Sequence, residues 1–188
     1  NLAVGKYDLA LENMNSAEQH AETALKGQII KARDLIESAK SIGAWKHDPT
    51  NLQTGVIQLD MAERALKDRR YPESLTAANA SIVASTQSIS NTRDKIFYGE
   101  IAQINALLLN AKIAAAMIPE KTTDIKKRTD IVQSSYKGNQ NNDVQFTESM
   151  EKLAKLKTEA ANLDSDAKAK RDELSKQIGT AIASSKQE

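Results

Sequence analysis

Cysteine is absent from the chain, which removes disulfides, thiolate nucleophiles and cysteine-ligated metal at a stroke. That absence suits a reducing cytosol and a disulfide-free periplasm equally. Proline is nearly absent, at Pro49, Pro72 and Pro119 alone, and there are only seven glycines in 188 residues, so chain breaks are few. Aromatics are scarce as well: one Trp, two Phe and four Tyr leave a thin core of Ala, Leu and Ile, made by close helix contacts. Neither sign of charge dominates. Twenty-six basic against 25 acidic side chains give a formal charge of +1, and so no polyelectrolyte reason to expect nucleic acid or an anionic membrane. No apolar run approaches the roughly 20 residues of a bilayer-spanning helix, and no signal peptide opens the chain. The start at Asn1, and the likeness of VGKYDLAL (Val4–Leu11) to KDRRYPESL (Lys67–Leu75), lead us to expect a natural protein that extends upstream.

What is present is a soluble, foldable composition, 40% apolar and 27% charged. The period-two alternation of strands is nowhere sustained, and the breaks fall where a helical reading needs them. The pattern predicts an all-α fold of five helices, long alternating with short: Tyr7 to Ala44, Asn51 to Arg69, Pro72 to Met117, Glu120 to Lys137, and Asp143 to about Ser184. Thr50-Asn51-Leu52-Gln53 spells a capping box, and Pro72 suits a first turn. Gly138 and Asn142 suit the end of the fourth helix and the start of the fifth.

Two long helices share a peculiarity. In the first, Ala10, Met14, Ala17, Ala21 and Ala24 alternate steps of four and three; Leu25, Ile29, Ala32, Ile36, Ala39 and Gly43 then do so one residue out of phase. In the third, Leu75, Ile82, Ile89 and Ile96 give way to Phe97, Ile101, Ile104, Leu108, Ala111 and Ala115, which is the second set of the first helix with 72 added to each number. This is an internal repeat. A one-residue slip turns an apolar stripe by roughly 100° about the helix axis. Each long helix therefore serves two bundles, the short second helix offering Leu52, Val56, Leu59, Ala62 and Leu66 to the third. The expected architecture is elongated and bent: two consecutive antiparallel bundles, residues 1–96 and 97–188, sharing the long helix 72–117. Gly27 and Gly99, each two residues past a slip, are the candidate joints, because glycine in a helix interior costs about 1 kcal/mol.

Catalysis has no visible home. His20 and His47 have no second ligand at helical spacing, so no metal site is legible, and there is no phosphate loop, nucleophile elbow or histidine–carboxylate motif. No cofactor is expected. Lys67, Arg69 and Arg70 end a helix, where positive charge offsets the macrodipole. Lys126, Lys127 and Arg128 are a candidate contact for an acidic partner, weighed against a solvated face shared with Asp124 and Asp130. Trp45, the one Trp, stands in the first turn, either closing the end of a bundle or contacting a partner. The small residues from Ser74 to Ser90 suit a close-packed helix seam. Asn79-Ala80-Ser81 matches a glycosylation acceptor only by chance, inside a helix.

The segment from Ala32 to Ala80, ARDLIESAKSIGAWKHDPTNLQTGVIQLDMAERALKDRRYPESLTAANA, and its echo resemble a family of Ala-spaced helical hairpins in bacterial envelope proteins. Gly43-Ala44 and Arg69-Arg70-Tyr71 hold the places of that family's Gly-Ala first turn and Gly-Asp-Tyr-like second turn. The second copy departs from it at Ala115-Ala116 and Lys137-Gly138-Asn139, and no tyrosine matches Tyr71. The family has no assigned activity, so no site residue carries over. In architecture the chain is also similar to the flagellar coiling proteins, the periplasmic sheath components of spirochaete flagella. Both resemblances place the chain in the periplasm or cell envelope, and the second implies a non-catalytic structural component packed around a filament. Its partners would be proteins, a filament or its own copies, with no nucleic acid. The competing expectation is an extracytoplasmic sensory bundle with a small-molecule pocket between helices.

Overall fold

The computed structural model describes residues 2–136 and 143–185, without the side chains of 2–5 and 185. The expected caps Gly138 and Asn142 lie outside the described residues. Seven helices, not five, follow in order: α1 (Leu2–Ser41), α2 (Ala44–His47), α3 (Pro49–Lys67), α4 (Tyr71–Asn110), α5 (Lys112–Met117), α6 (Pro119–Ser135) and α7 (Asp143–Ser185), with no strand among the described residues. The two additional helices are single short segments at the first turn of each repeat. Two compact units divide at Arg93 and Asp94, inside α4 and three residues upstream of the expected boundary.

Each short segment ends where the chain must turn before a proline. Asp48 (φ −144°, ψ 64°) and Ile118 (φ −139°, ψ 57°) precede Pro49 and Pro119, and a residue before proline is pushed out of the helical region. Both amides bond one turn back, to Ala44 (2.7 Å) and Ala114 (2.8 Å). These pairs are 70 residues apart, whereas the stripes before them are 72 apart, so the second turn is two residues shorter. The first copy spends its extra length on Gly43 at φ 83°, a left-handed conformation that glycine adopts without steric cost. The second manages with Ala111 at φ −77°, ψ 53° and needs no glycine.

α3 begins at Pro49, so the capping box expected on Thr50 does not form. The preceding Asp48 carboxylate instead accepts from Asn51 (2.8 Å) and Asn91 (2.7 Å), tying α4 to the turn. At the other end of α3, the Arg70 amide donates to the Ala65 carbonyl (2.8 Å) and the Arg69 amide to Leu66 (3.0 Å). This paired closure is a Schellman ending, and Arg69 occupies its left-handed position at φ 57°. A side chain there costs about 1 kcal/mol. The ion pair that exposed Arg69 makes with half-buried Glu18, at 3.4 Å, returns little of that. Arg69→Gly is therefore expected to raise the urea midpoint of the first unit by the equivalent of about 0.5–1 kcal/mol; a lowered midpoint would mean that the Glu18 contact outweighs the strain.

In the first unit Leu25, Ile29, Ala32, Ile36 and Ala39 of α1 are buried, as their phase predicts. The α3–α4 contact differs from the expectation. Leu52 and Ala62 of α3 and Ile89 of α4 are buried as expected, but Leu75 and Val56 are exposed, and Ser74 and Gly55, each one position earlier, take their places in the seam. Ser74, Ser81 and Ser88 donate to the carbonyls of Ala62 (2.9 Å), Gly55 (2.7 Å) and Asp48 (3.2 Å). Both series step by seven in opposite directions, so three hydroxyls lock one antiparallel register. Gly55 is what lets the backbones approach: a Cβ built there would stand 2.5 Å from Ser85 Oγ. The small-residue seam on Ser74, Ala78, Ser81, Ser85, Ser88 and Thr92 then yields to Phe97, five residues past Thr92.

The second unit is packed in the ordinary aliphatic way. Phe97, Ile101 and Ile104 of α4 meet Ile125 and Val132 of α6, and Leu153, Leu156, Ala160, Leu163 and Ala167 of α7. The Phe97 ring stacks on Tyr136 with centroids 3.8 Å apart, and the Tyr136 hydroxyl donates to Asp94 (3.0 Å).

Candidate interaction surfaces

The turn after α1 presents Trp45 to solvent, 67% exposed, while its neighbour Ala44 is fully buried and closes the bundle end. The alternative of Trp45 as the closing residue is thereby corrected: the α2 turn points the small side chain inward and the large one out. Lys126, Lys127 and Arg128 are adjacent on a helix of 3.6 residues per turn and so face different ways. Lys126 pairs with Asp130 one turn on, Lys127 is exposed, and Arg128 is half-buried, bonded to Asp124 (2.8 Å) and to both carboxylate oxygens of Glu159 on α7. Arg128 thus holds two helices of its own unit together. Lys126 instead lines an open groove with Asn105, Leu108 and Thr122.

Hydrogen bonding from Arg128 holds the Glu159 carboxyl below the usual carboxylate range, against an opposing effect of burial. A carboxyl lowered in the folded state adds stability above its unfolded value and loses it as pH falls through the folded one. The second unit is accordingly expected to weaken on acidification through and below the ordinary carboxylate range. Glu159→Gln should be less stable at neutral pH and show a flatter acid limb in urea unfolding; parallel limbs for the two proteins would remove Arg128–Glu159 as a cause. The exposure of the pair keeps the effect modest.

Gly27 and Gly99 lie within α1 and α4, and a Cβ at either would meet open space. A groove of about 420 Å³ in the first unit is lined by Ala21, Ala24 and Leu25 of α1 and by Tyr71, Pro72 and Leu75 of α4. The Tyr71 hydroxyl donates to Glu18 (2.8 Å), and this bond raises its pKa.

Exposed apolar residues that periodicity reads as a buried stripe occur on two helix arms, although single positions elsewhere, such as Leu109 and Val83, are as exposed or more so. Tyr7, Leu9, Leu11 and Met14 are exposed on α1, and Leu174, Ile178 and Ile182 on α7. Their spacing is the same signal that marks buried stripes elsewhere, so periodicity alone does not separate the two. Among the described residues there is no group of three or more His, Asp or Glu placed to hold a metal ion, and no helix long and apolar enough to cross a membrane. Compared with known proteins, the chain matches no family model, no curated protein and no solved structure.

Proposed function

We propose that the chain is a non-catalytic structural protein of the bacterial envelope, binding neighbouring proteins or a filament through its helix surfaces. The observation that carries this reading is the pair of exposed apolar arms on α1 and α7. Isolated exposed apolar residues are ordinary, but rows of them at helical spacing suit a helix-on-helix contact. Charged side chains mostly pair along or between helices, as in Lys157–Glu100 (2.9 Å) and Lys121–Asp166 (2.6 Å); even in the open groove of the first unit, lined by Glu22, Lys26, Arg33, Glu63, Lys67 and Arg69, Lys26 is paired with Glu22 and Arg33 with Glu63. The envelope setting, and a sheath role within it, follow from the resemblances alone.

The test is to place photo-crosslinkers at Met14, Trp45, Ile178 and, as a control, Asp60, in cells that make the protein. The expected result is high-mass adducts at the arm positions and sedimentation of the chain with a large assembly. A monomer without adducts that copurifies with a small molecule would favour the sensory bundle instead.

A further inference from the structure

We propose that copies of this chain associate head to tail, the last part of α7 in one copy packing on the first part of α1 in the next. The inference rests on the structural reading above and names the partner as a second copy.

Shape is the first argument. The α1 arm offers Tyr7, Ala10, Met14, Ala17, Ala21 and Ala24 in steps of three and four, an alanine-rich furrow that ends in the apolar groove beside Tyr71 and Pro72. The α7 arm offers the larger Leu174, Ile178 and Ile182. Large side chains in a small-residue furrow is how the first unit is already built: Ile29 and Ile36 of α1 cluster with Ala77, Ala78 and Ile89 on the small-residue stretch of α4. The proposed contact repeats that combination between molecules.

Charge is the second, independent argument. Residues 6–24 hold one lysine against Asp8, Glu12, Glu18 and Glu22, a net −3. Residues 168–184 hold Lys168, Lys170, Arg171 and Lys176 against Asp172 and Glu173, a net +2. Glu18 and Glu22 are already engaged, by Tyr71 with Arg69 and by Lys26. On α7, Lys170 and Arg171 are likewise engaged, by Glu173 and Asp172. That leaves Asp8 and Glu12, beside Leu11, to face Lys168 and Lys176. Like arms repel, so the opposite arms are the favoured pair. The two surfaces differ, so the contact is heterologous: every bound copy leaves one arm of each kind open, and growth continues unless a ring closes. A contact between two short helix stretches is small, which makes association weak and dependent on concentration and salt.

A chain without cysteine makes the test clean. Met14→Cys and Ile178→Cys are made separately and oxidised alone and as an equimolar mixture. The mixture is expected to give several-fold more disulfide-linked dimer than either variant alone. Sedimentation equilibrium of the unaltered chain should show a mass rising above 20.6 kDa with concentration. Met14→Asp or Ile178→Asp, both at exposed positions, should abolish that rise and leave helix content and melting unchanged. Dimers formed mainly by like variants would overturn the proposal in favour of arm-to-same-arm pairing, and a constant monomer mass would overturn it outright. A purified monomer that is still captured in large cellular assemblies would sink the self-pairing and leave the structural role standing.

Discussion

Gly55→Leu is expected to destabilise the first unit by about 3 kcal/mol or more, the largest effect of any single side chain added to the molecule. The reason is the closeness of α3 and α4. A Cβ at Gly55 meets Ser85 Oγ at 2.5 Å, with the Ser85 amide nitrogen at 3.5 Å and the Ser81 carbonyl oxygen at 3.6 Å behind it. The hydroxyl can rotate away from a methyl group, but the two backbone atoms cannot make room for a leucine. Separating the helices also breaks the Ser81 bond to the Gly55 carbonyl, about 1 kcal/mol, and weakens its neighbours at Ser74 and Ser88. The helix propensity gained, about 1 kcal/mol, offsets only part of this. Hydrogen exchange of α3 amides would read the first unit by itself, with Gly55→Ala combined with Ser85→Ala as a near-neutral control. Protection in Gly55→Leu equal to that of a leucine at exposed Val56 would refute the close seam.

Phe97→Ala is expected to cost the second unit about 3–5 kcal/mol, the range for deleting a buried aromatic from a core. Phe97 is fully buried and joins α4 to α6 through its stack on Tyr136, with Tyr98 edge-on at 5.3 Å. The variant leaves a cavity and uncovers one face of Tyr136, whose hydroxyl is held by Asp94. Amides of α6 and α7 should lose protection while those of α3 keep theirs. A change below about 0.5 kcal/mol, typical of surface positions, would mean that the frame change at Phe97 is not a core feature.

The α-helical class, the long and short alternation and the phase of the stripes on Leu25 and Phe97 are legible in the sequence, because a period of 3.6 repeats over many turns and the prolines stand between segments. The break at Ala111 is not legible. Ala111, Lys112 and Ile113 are all compatible with a continuous helix, and what turns the chain is tertiary: Ala114 and Ile118 are drawn into the core. Within the α3–α4 seam Leu52, Ala62 and Ile89 are legible, but Ser74 and Gly55 are not, because Leu75 and Val56 look more like core. Hydrophobicity ranks side chains by transfer energy, but a seam this tight is selected by size. The candidate contact residues fared unevenly for a related reason. Arg128 and Lys126 are neighbours in sequence, and only the helix rotation sends one to Glu159 and the other to a groove.

The two repeats are built from incompatible interface chemistries, and this bears on how the chain reaches its fold. Repeats of like sequence within one polypeptide invite mispairing, a helix of one docking on the helices of the other. On the α3–α6 correspondence, 70 residues apart, Gly55 becomes Ile125, Leu59 becomes Thr129 and Ala62 becomes Val132. Docking α6 on the serine-bearing stretch of α4 would drive Ile125 into the space between Ser81 and Ser85, and Val132 against Ser74. Docking α3 in the second unit would set Gly55 where Ile125 fills the core and leave a void among Leu153, Leu156 and Leu163. Either exchange loses packing or clashes, so the kinetic trap that sequence similarity opens is closed by divergence at these paired positions. The serine ladder therefore guards fidelity during folding as well as fixing register in the folded state.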